Sequence, residues 1–154
     1  MLRAVYKCGS QLFLSKPHDI DVLMVYDTRK ECREAIKMNA DRSVDKHYMC
    51  MENLDVVFLG CYARPFLELI EGQEIEKLKN FSIFDHEEEY KSLLRGFAHS
   101  LSKEHKYWYH IYIAVRMFDK GKMSLTKKEK ETAQKIHDKG INEELYAYII
   151  DFLG

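Results

Sequence analysis

Gly9-Ser10, followed after eight residues by Asp19-Ile20-Asp21 and then Val22-Leu23-Met24-Val25-Tyr26, is the stretch whose reading decides the fold. A strand alternates its side chains, so Asp19 and Asp21 are expected on one face at the strand's entrance, with Ile20, Val22 and Met24 on the other. Two carboxylates aimed at one spot repel each other unless a cation or a basic group offsets them. A hard divalent cation does this well, since magnesium takes one or two protein carboxylates, keeps several waters and completes its shell with phosphate oxygens. Gly9 and Ser10 would bring an unhindered backbone and a hydroxyl up to such phosphates. A plainer reading stands beside this one, with Asp19 as a turn residue after Lys16-Pro17-His18 and Asp21 as a solvated strand position.

Working outward, a third acid opens a second apolar run, Leu54-Asp55-Val56-Val57-Phe58-Leu59-Gly60. Alternation puts Asp55, Val57 and Leu59 on one face, and if this strand lies beside the first, Asp55 joins the other two acids at one edge of the sheet. The alternative is a turn residue at a strand start.

In these residues the chain resembles the nucleotidyltransferases with the DNA polymerase beta type palm. Their signature is a strand, a Gly-Ser turn, an acid-apolar-acid triplet on the next strand and a third acid one strand later. The resemblance implies an α+β fold, with a mixed-sheet palm over residues 1–80 and a small helical region over residues 81–154. It also implies magnesium or manganese held by Asp19, Asp21 and Asp55, and Gly9 and Ser10 on the β and γ phosphates of an NTP. The implied reaction moves a nucleoside monophosphate to an acceptor hydroxyl, on an RNA end or on a partner protein in antitoxin-like relatives. A non-catalytic nucleotide-binding module of the same fold is a further alternative. The loop Gln11–His18 departs from the family, which carries another Gly and a Ser before the triplet; His18 stands where that Ser is expected.

Leu2–Cys8 reads as the strand before the Gly-Ser turn. Thr28-Arg29-Lys30-Glu31 has the spacing of a capping box and predicts a helix to about Asn39. The next strand is expected within 47–59, after a short extended piece around 48–51. Phe66–Ile75 resembles the short helix and Gly turn that close the palm in small relatives. Beyond it, Asp85-His86-Glu87-Glu88 predicts a capped helix through about Ser102, its stripe formed by Tyr90, Leu93, Leu94, Phe97 and Leu101. Another helix is expected over about 105–119, a third capped by Thr126 and Glu129 and stopping at Gly140, and a last one opened by Asn142. The segment from Lys106 to Arg116 is similar to the helical region of RNA-repair-type nucleotidyltransferases. Lys106 and His110, one turn apart, are candidates to contact the triphosphate, while Arg116 faces elsewhere and is expected to pair with an acid. Tyr107, Tyr109, Tyr146 and Tyr148 are candidates to stack on an acceptor base, or to pack between helices.

The bulk numbers limit the alternatives. With 154 residues, 46% hydrophobic and 32% charged, this is an ordinary globular composition. No apolar run reaches the ~20 residues of a membrane helix and no secretory pattern opens the chain, so no membrane partner is expected and the cytoplasm is the expected compartment. The four cysteines lack metal-like spacing and read as free thiols; Cys8 reads as a small buried hydrophobe. Net charge is only −1, but residues 101–140 carry ten Lys or Arg against five acids, a face able to steer a polyphosphate or RNA.

Overall fold

The structure is a computed structural model, and it describes residues 1–9, 14, 21–39, 44–54 and 67–154. The described residues fall into two compact units, one ending at Phe81 and one beginning at Ser82.

The first unit is built on a four-stranded mixed sheet of order β3-β2-β1-β4. Strand β1 (Leu2–Cys8) pairs antiparallel with β2 (Asp21–Tyr26), and helix α1 (Arg29–Met38) crosses over to β3 (Asp45–Cys50), which runs parallel to β2. Ala4, Val5 and Tyr6 are all buried, as a strand covered on both faces requires. On one face Tyr6 lies opposite Leu23, and its hydroxyl accepts the Ile75 amide at 2.8 Å. The short helix α2 (Glu76–Lys79) buries Leu78. The Cys32 thiol of α1 donates to the Met49 carbonyl at 3.0 Å, fastening helix to strand. Thr28 caps α1 by accepting the Glu31 amide at 3.2 Å, as its spacing predicts.

Two expectations change in this unit. Residues 68–72 form β4 (Glu68–Gly72), antiparallel to β1, where a short helix and Gly turn were expected. The pairing with β1 decides this: Gly72 takes φ +84, where a side chain would run into the Arg3 carbonyl, and Gln73 donates to that carbonyl at 3.1 Å. Strand β3 covers 45–50, starting upstream of the extended piece expected around 48–51, and a single 3-10 turn (Met51–Asn53) follows it; the strand expected to open at Asp55 lies outside the described residues.

The second unit is helical: α3 (Glu87–Ser100), α4 (Trp108–Lys120), α5 (Lys127–Lys139) and α6 (Glu143–Leu153). Helix α4 is its axis. Trp108, Tyr109, Ile111 to Val115, Met117 and Phe118 are buried, so most of its circumference is covered by the other three helices. The Thr126–Glu129 capping box and the Asn142 cap form as the sequence predicts. Asp85, however, caps nothing. A 3-10 turn from Ile83 to His86, capped by Ser82, occupies that segment, and α3 starts at Glu87 without a side-chain cap. Leu93 and Phe97 are half-buried, leaving Tyr90, Leu94 and Ala98 as the inner stripe. No helix among the described residues is long and apolar enough to cross a membrane.

Candidate active site

The pairing of β1 with β2 sets Cys8 opposite Asp21, and Gly9, the next residue, lies against the Asp21 carboxylate. Gly9 has φ +79, the left-handed region that residues with a side chain enter only with strain. A Cβ added there would stand 2.5 Å from Asp21 Oδ2. Only a glycine therefore lets the chain turn this close to the acid.

The parallel register of β2 and β3 puts Asp45 beside Asp21 and His47 beside Leu23. His47 Nε2 reaches Asp21 Oδ1 at 3.2 Å. This hydrogen bond raises the pKa of His47; burial opposes it, and the charges of Asp21 and Asp45 add to it. The strand entrance thus holds two acids on partnered positions with an imidazole whose cationic form both acids favour. Burial, with the Asp21 charge, pushes the Cys8 thiol up to about 12. A thiol so firmly protonated is a poor nucleophile, which agrees with reading it as a small buried hydrophobe. Cys32 and Cys50 are likewise buried thiols.

Of the residues singled out in the sequence, Gly9 and Asp21 come together here, whereas Ser10, Asp19 and Asp55 lie outside the described residues. Among the described residues no three His, Cys, Asp or Glu side chains are grouped to hold a metal ion. Asp45 and His47 escaped the sequence reading. Their i, i+2 spacing on one face was visible, but only the strand register couples them to an acid more than twenty residues earlier.

Lys106 and His110 belong to the helical unit. Helix α4 begins at Trp108, so Lys106 lies on the exposed turn before it and not on the helix. His110 packs on Tyr109 and Tyr107, with ring centroids at 4.0 and 4.9 Å. Burial, helped by His137 and Lys106, pulls its pKa down to about 3, so its imidazole is neutral near pH 7. The tyrosines serve packing: Tyr109 is buried, Tyr107 meets Phe97, and Tyr146 meets Trp108 edge-on.

Arg116 forms the expected ion pair, within a larger network. Its Nε donates to Glu129 Oε2 at 2.7 Å, and its Nη1 donates to Asp119 at 3.2 Å and to the Tyr148 hydroxyl at 2.8 Å. Glu129 Oε1 accepts from Lys120 Nζ at 2.5 Å and from the Thr126 amide at 2.8 Å. Burial alone would raise the Glu129 carboxyl, but the donors from Lys120, Thr126 and Arg116 hold it down at about 2. No family model matches the chain, and comparisons with curated proteins and with solved structures return no match either.

Proposed function

We propose that this protein is a metal-dependent nucleotidyltransferase, moving a nucleoside monophosphate from an NTP to an acceptor hydroxyl, for which an RNA end is the first choice. The observation that carries the reading is the contact of Gly9 with Asp21. The glycine of the Gly-Ser turn sits, at positive φ, against the second acid of the acid-apolar-acid triplet. The order β1, β2, α1, β3, with β3 parallel to β2, supports it further.

The residues fit magnesium or manganese. Carboxylates are hard oxygen donors, and the glycine leaves open the space beside Asp21 that a Cβ would crowd. Asp19, Asp21 and Asp55 would hold the cation, which when bound supplies charge neutralisation to the triphosphate. Gly9 and Ser10 would hold the β and γ phosphates. The acceptor oxygen forms its bond to the α-phosphorus as the bond to the bridging oxygen breaks, and pyrophosphate leaves with that electron pair. Asp55 would accept the hydroxyl proton. No nucleophilic side chain is needed, because positioning and electrostatics supply the catalysis.

The test is incubation with each radiolabelled NTP, magnesium or manganese, and pools of RNA and of protein. Label on RNA is expected, with Asp21→Ala lowering transfer by at least about a hundredfold. Label on protein instead would assign a protein acceptor. Label nowhere, together with metal-independent NTP binding that Asp21→Ala leaves intact, overturns the enzymatic reading.

A further inference from the structure

We propose that the open cleft lined by α4, α5 and α6 is a second binding site, built for a small phosphate ester with a planar or sugar-like body. It lies wholly inside the helical unit and uses none of the acids assigned above, so it stands independently of the nucleotidyltransferase reading. Its volume is about 380 Å³, within the roughly 300–1,000 Å³ of small-molecule sites and near the lower end.

Charge selects the ligand class. Arg116, Lys120 and Lys128 line the pocket against one carboxylate, Glu129. Both Glu129 oxygens are already occupied, one by Arg116 and the other by Lys120 and the Thr126 amide. Asp119 Oδ2, just outside, takes Arg116 Nη1 and the Tyr148 hydroxyl. Once these acids are satisfied, positive charge is left over. Arg116 engages its acids through Nε and Nη1, and the exposed Lys128 enters no ion pair among the described residues. The amino end of α5, which opens at Lys127 in the same wall, adds partial positive charge. The remaining Nη2 of Arg116 and the Lys128 ammonium can donate to the oxygens of a phosphate.

The walls select the remainder. Tyr112, Tyr148 and Leu145 give the pocket an aromatic and apolar side, on which a ring or the carbon face of a sugar can lie. A bare anion would leave that side unused. A compact phosphate ester uses both.

The experiment is a titration of the full chain with phenyl phosphate, followed by amide chemical shifts. Saturable shifts are expected at Lys128, Thr132 and Tyr148, reversed by inorganic phosphate. Lys128→Ala should weaken binding about tenfold and Lys128→Glu more, both with an unchanged melting temperature. Asp21→Ala should leave the affinity unchanged, which separates this site from the sheet unit. Absence of saturation at millimolar concentration, or equal affinity in both Lys128 variants, overturns the proposal. So does a single-stranded oligonucleotide that binds with the same Lys128 dependence when phenyl phosphate does not, since it assigns the surface to a polymer.

Discussion

The two units handle carboxylates in opposite ways. In the helical unit Glu129 is ringed by its counterparts, a guanidinium, an ammonium and a backbone amide, so its negative charge is answered by its own fold. In the sheet unit acids are brought side by side: Asp21 and Asp45 occupy partnered positions on parallel strands, and the basic group bonded to Asp21, His47, is half-exposed and titratable. The difference teaches where charge serves stability and where it is held ready for something else. An acid enclosed by fixed cations contributes to folding. Neighbouring acids whose basic companion can lose its proton make a place that favours an added cation.

The sharpest way to break this contrast is Glu129→Ala. It leaves Lys120 without its carboxylate and Arg116 with that of Asp119, and it removes half of the α5 capping box. A loss of ~3–5 kcal/mol is expected, read by urea denaturation through Trp108, the only tryptophan, buried at the start of α4. A loss below about 1 kcal/mol would make the network ornamental and erase the distinction.

Acid should act second, with a sign fixed by two groups. Glu129 is depressed in the folded state, so its contribution is fully present above the ordinary carboxylate pKa and disappears as pH falls toward about 2; this amounts to roughly 3 kcal/mol at the acid end. His110 is also depressed, to about 3, so unfolded chains take up its proton first and stability declines from about pH 6.5 downward. Trp108 fluorescence at fixed urea should therefore report progressive destabilisation on acidification, and Glu129→Gln should flatten the part below pH 4.5. A transition independent of pH would remove both assignments.

The smallest effect belongs to the sheet. Gly9→Ala forces a side chain into positive φ and toward Asp21, at a cost of about 1–2 kcal/mol. Far-UV circular dichroism should show a modest drop in melting temperature, while NTP binding falls far more than stability does. Equal losses in the two would mean the glycine serves the turn alone.

What could be read from the chain beforehand follows the range of the forces involved. Thr28, Thr126 and Asn142 announced their helices because a cap and its amide lie three residues apart. Val22 to Tyr26 announced a strand through a continuous apolar run. Residues 68–72 did not, since Glu68-Leu69-Ile70-Glu71 suits either period and only distant β1 chooses between them. Asp85 had the cap spacing but lost to Ser82, which starts a tighter turn upstream. Arg116 was expected to pair with an acid, yet the sequence marked Glu129 only as a cap, because its second duty comes from a neighbouring helix. At the proposed site the contact of Gly9 with Asp21 was legible from a turn next to a triplet, whereas His47 became visible only through strand register.

Among the described strands, β4 sits at the rim of the sheet, carries Glu68 and Glu71, and changes register where it meets Val5 and Tyr6. A foreign strand arriving there would confront two like charges and a backbone bent out of line, the devices by which proteins blunt a templating border. Among the described residues, this border therefore resists an added strand by charge and by its shifted register.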